Sequence, residues 1–112
     1  MVVVTHLGGL PGLSPADLVR AEVAGDALTF HRGEPSLGWS HYVPLAAVTL
    51  VHLTPTGGGA RLTLTLARRQ GPATIALWGE PAALRALEWD LLVGRREHRG
   101  RRGEHRRPPE GG

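Results

Sequence analysis

From Leu18 to Trp78 apolar residues mostly alternate with others in short runs separated by glycine and proline, and after Gly79 the period lengthens. That single change limits the chain to a set of strands followed by one helix. Period two lays apolar side chains on one face of a strand, and period 3.6 gathers them into a stripe on a helix. Residues 2–7, rich in β-branched side chains, form the first expected strand. Gly8-Gly9, Pro11-Gly12 and Ser14-Pro15 follow as a loop. Val19, Ala21 and Val23 then alternate with Arg20 and Glu22, the chain reverses at Gly25-Asp26, and Leu28 and Phe30 resume the apolar face.

The remaining strands are read in the same way. Residues 39–43 are extended, and Pro44 ends that strand or confines it to a sheet edge. Over residues 48–53 the alternation breaks, with Val48 and Leu50 on one face and Val51 and Leu53 on the other; a bulge would reconcile them. A turn with three glycines, Gly57 to Gly59, leads to the most regular strand. There Leu62, Leu64 and Leu66 face inward against Arg61, Thr63 and Thr65. Gln70-Gly71-Pro72 turns the chain into a last strand carrying Ile75 and Leu77. Pro81 suits a first helical turn, Leu84, Leu87, Glu88 and Leu91 make one stripe, and Gly94 is a natural stop, so the helix is expected over about 81–93.

The expected fold is therefore mainly β with one α-helix: a bent antiparallel sheet, or partly open barrel, of six to seven strands capped by the C-terminal helix. The domain spans 1–94, and the Arg/Gly-rich segment 95–112 is expected to be disordered in isolation. Charge divides at the same place. The formal charge of the chain is +3, but residues 95–112 hold seven Arg against three Glu, whereas residues 1–94 hold six Arg against seven acids. The basicity belongs to the tail. All 13 basic residues are Arg, a bias that a GC-rich genome explains most simply.

Several features together resemble the small bacterial proteins of the pleckstrin-homology-like class. His6-Leu7-Gly8-Gly9 with Leu10-Pro11-Gly12 is similar to an opening found among them. The hairpin from Val23 to Phe30 resembles their first turn, and Tyr42-Val43-Pro44-Leu45 with Val48 and Val51 resembles their third strand and its exit. The likeness covers residues 1 to about 94 and implies a terminal helix bearing a tryptophan, the place of Trp89. It also implies phosphoinositide binding through a basic loop. Here the loop is either Gly25-Asp26, which is acidic, or residues 8–17, which hold no Arg, so phosphoinositide recognition is not expected.

No enzyme is expected. The chain has no cysteine and no lysine, which removes thiolate catalysis, cysteine-bound zinc, Schiff-base chemistry and the phosphate-loop lysine. Ser14, Ser36 and Ser40 lack a nucleophile elbow. His6, His31, His41, His52, His98 and His105 show no helical metal spacing, although His41 and His52 could meet across neighbouring strands. No catalytic, cofactor or metal residue is assigned, and a cytoplasmic location is the default. Two binding surfaces remain. Trp89 lies about 140° from Leu84 on the helical wheel; it packs along the sheet rim or joins Leu92, Val93 and Arg85 in a surface for a protein partner or a second copy. Trp39 and Trp78 could join either arrangement. Alternatively Arg95, Arg96, Arg99, Arg101, Arg102, Arg106 and Arg107 grip nucleic acid or an anionic membrane by charge alone. The tail has no aromatic residue on which bases could stack.

Overall fold

A computed structural model of the chain describes residues 2–32 and 38–106, with side chains through Gly94 and at Arg96. Seven strands form one antiparallel sheet: β1 (Val2–Gly8), β2 (Leu18–Ala24), β3 (Ala27–Arg32), β4 (Trp39–Pro44), β5 (Val48–Thr56), β6 (Gly59–Leu66) and β7 (Ala73–Gly79). The order across the sheet is β4-β3-β2-β1-β7-β6-β5, and the sheet is not closed. One helix, α1 (Pro81–Arg106), follows. The mainly β fold with a terminal helix is the one the apolar periods require.

The order has a simple origin. Strands β1 to β4 form one meander and β5 to β7 another, because each is joined to the next by a short connection. The two meanders meet only where β1 pairs with β7, Thr5 opposite Trp78 and His6 opposite Leu77. Pro44 closes β4 at one edge, the place where a missing N–H does least harm. At the other edge β5 shifts register between Val48 and Leu50. That bulge turns Leu50 outward, while Val48 is buried and Val51 and Leu53 pack on the core. The broken alternation is thereby accounted for.

The core is a layer of Leu28, Phe30, Leu62, Leu64, Leu66, Ile75 and Leu77 from the sheet under Leu84, Leu87 and Leu91 of α1. Each such side chain contributes about 1.5–3 kcal/mol on burial. The Glu80 carbonyl accepts the first helical bond, from Leu84 N–H at 3.0 Å. The helix does not stop at Gly94, as its sequence suggested, but runs to Arg106. A glycine stop needs the left-handed conformation, and Gly94 does not adopt it. A Cβ there would come within 2.7 Å of the buried Leu45 Cδ1, so this glycine lets the helix lie close to the 3-10 turn Leu45–Ala47. The backbone of positions 95–106 continues the helix, and Arg107 with the rest of the tail lies outside the described residues. No described helix is long and apolar enough to cross a membrane.

Candidate functional site

The exposed face of α1 is where described side chains depart most from what packing alone would give. Leu84, Leu87 and Leu91 turn toward the sheet, and residues half a turn away turn from it. Trp89 is 66% exposed and Leu92 43%. Trp89 therefore stands mostly clear of the sheet, meeting it only at the groove described next. Arg85 and Arg96, four residues before Trp89 and four after Leu92, are also exposed. Neighbours at this spacing share one helix face.

Beside this face lies a groove of about 270 Å³ lined by Val23, Gly25, Trp89, Asp90, Val93 and Gly94. Its floor comes from the β2–β3 turn. Gly25 takes a left-handed conformation (φ 62°) that makes the turn tight, and the Asp26 carbonyl accepts a 2.8 Å bond from Leu45 N–H. The end of β4 abuts the same turn, since Pro44 pairs with Ala27. The groove is thus continuous, through the chain, with the β4 edge. Tyr42 stands exposed on that edge with its hydroxyl 3.3 Å from Asp26 Oδ1. The Asp26 carboxylate charge holds the Tyr42 hydroxyl above its usual range, with burial and this hydrogen bond adding to the effect.

The expected partner surface is only partly brought together. Trp89 and Val93 line the groove, and Leu92 stands beside it. Arg85 instead borders a smaller hollow of about 110 Å³ with Leu53, Pro55, Gly59, Ala60 and Pro81. Asp90 and Gly94 are groove residues that sequence reasoning missed; Gly94 carried a signal, but it was read as a terminator. Trp39 and Trp78 belong elsewhere. Trp39 stacks on His41 (centroids 5.8 Å apart) and packs against the core. Trp78 lies on the outer face, over Gly59, with its indole N–H donating to Thr56 Oγ1 at 3.1 Å. His41 and His52 sit on β4 and β5, which are opposite edges of the sheet and not neighbouring strands. Among the described residues no group of three or more His, Asp or Glu is placed to hold a metal.

His6 is the most buried polar side chain, at 1% exposure. Its Nε2 accepts from Leu10 N–H at 3.0 Å, which leaves the proton on Nδ1 to donate to the Ser14 carbonyl at 3.0 Å. Both ring nitrogens are consumed in holding the loop after β1. This histidine shapes the loop and offers nothing to a ligand.

A scan against protein-family models gives no match, and no curated protein matches the chain.

Proposed function

We propose that the protein is a non-enzymatic interaction module that binds a protein partner, or itself, through the exposed face of α1 and the adjoining β4 edge. The observation that carries this reading is the exposure of Trp89 beside Leu92 and the groove. An indole left in water on a helix whose other face is fully packed costs apolar burial that a partner would restore. Tryptophan and arginine are also the side chains that dominate binding hot spots. The groove floor adds shape, and an edge strand adds backbone donors and acceptors for an added strand. The pleckstrin-homology-like resemblance supports such a role only as a fold that commonly carries binding sites.

The test uses a photo-crosslinking residue at position 89, with the same residue at position 78 on the outer sheet face as control. A named protein captured from the host at position 89 and not 78, and lost with Leu92→Ala, supports the module. Equal capture at both positions sinks it. A tail that grips nucleic acid or anionic membrane predicts something different: binding that disappears on deleting residues 95–112 and falls steeply with salt.

A further inference from the structure

We infer that the occupant of the α1 face is a second copy of this chain, its helix parallel to the first. The inference rests on the interaction-module reading and names its partner. It is carried by the positions of charge along the helix. With Trp89 placed at d of a heptad, the seam reads Ala82 (d), Ala86 (a), Trp89 (d) and Val93 (a). Ala82, Ala86 and Trp89 are exposed and Val93 is half-buried in the groove wall. The buried Leu84, Leu87 and Leu91 fall at f, b and f, so the chain's own sheet covers the side opposite the seam. Two helices can meet along a and d while each carries its own body on the outside.

The flanks then specify orientation. Arg85 falls at g and Asp90 at e, both exposed. In a parallel pair each g residue faces the e residue five positions on in the other copy, so Arg85 meets Asp90 twice per dimer. The sequence repeats this arrangement along the rest of the helix: Arg99 and Arg106 fall at g, and Glu97 and Glu104 at e. An antiparallel pair would set g against g and e against e, so over this stretch Arg85 would face Leu92 and Asp90 would face Ala83, and neither charge would meet its opposite. Only Leu92 interrupts the cationic flank, and it extends the apolar seam beside Trp89. The small Ala86 layer leaves room for the two indoles that stack above it. Beyond Val93 the seam positions are Arg96, Gly100 and Gly103, which supply little burial. The grip therefore lies over 82–93, and a contact this short makes a weak, concentration-dependent dimer.

Sedimentation equilibrium of the full chain reads the mass, expected to rise from 12.0 kDa toward twice that value as concentration increases. Arg85→Asp and Asp90→Arg should each be monomeric where the natural chain is dimeric. Mixed together they should pair, because every g–e contact is again between opposite charges. The chain has no cysteine, so Trp89→Cys and Val93→Cys each introduce one thiol; in parallel register each should oxidise to a disulfide-linked dimer with itself. A chain that stays monomeric up to roughly millimolar concentration overturns the inference. So does cross-linking of Trp89→Cys only to Ala86→Cys, which is the antiparallel result because d then faces a. A monomer whose position 89 still captures a different protein removes the copy and leaves the module standing, whereas no capture and no pairing removes both.

Discussion

His6 ties the loop after β1 from both sides of its ring. His6→Ala would leave the buried Leu10 N–H without its partner, at a cost of about 1–3 kcal/mol, and release the part-buried Ser14 carbonyl to water; urea unfolding measures the loss. Neighbouring glycines divide sharply. Gly9 has φ 99°, and a Cβ there would overlap the Thr74 carbonyl and lie 2.8 Å from Ile75 Cα, whereas a Cβ on Gly8 meets nothing. Gly9→Ala should destabilise by more than about 2 kcal/mol and Gly8→Ala by under about 1. His41 gives a pH dependence. Burial first, and the Arg68 charge second, hold its pKa below 6.5. A depressed pKa means that the unfolded chain takes up the proton more readily. The contribution is thus present above pH 6.5 and is lost as pH falls through the lower folded value. His41→Gln should flatten the fall in melting temperature across that range, and an unchanged slope would show that His41 does not cause it.

At the scale of elements, α1 depends on a glycine in its middle. Alanine at position 94 would gain about 1 kcal/mol of helix propensity but would press on Leu45 Cδ1, the end of a buried side chain that must shift to admit it. Overpacking of this kind costs about 1–3 kcal/mol. Gly94→Ala is therefore expected to be destabilising on balance, and Gly94→Ala with Leu45→Val should recover part of the loss. Little of this was legible in the sequence, where a glycine that ends a helix and one that admits a neighbour look the same. The strands were far more legible. Leu62, Leu64 and Leu66 announce their face because one side of β6 is packed and the other is not. The Val48–Leu53 irregularity even pointed to its bulge. What local pattern cannot give is which strands become neighbours, and so the pairing imagined for His41 and His52 failed. Trp89 stayed ambiguous for a related reason. A wheel shows its angle from Leu84, but the width of the covered sector depends on the sheet beneath.

Taken whole, the molecule separates into a packed body and a charged extension. Among the described side chains the buried residues of α1 all precede Gly94, so a chain ending there should keep its melting temperature within about 3 °C. Its formal charge, however, changes from +3 to −1. Differential scanning calorimetry checks the first point, and a drop of more than about 10 °C would mean that the extension supports the fold. Charge and composition place this division at residue 94, and the truncation tests it. Where the groove lies was not readable from it, because Gly25 and Val23 reach Trp89 only after the sheet has folded under the helix.

The β1–β7 pairing also bears on how the chain is made. β1 is synthesised before β7, so Thr5 waits for Trp78 while the five strands between them are made. Contacts so distant in sequence close slowly. During that interval the side of β1 that Thr5, His6 and Gly8 turn to β7 lacks its partner strand, an invitation to aggregate. Yield in the cell should depend less on equilibrium stability than on how soon the final strand arrives.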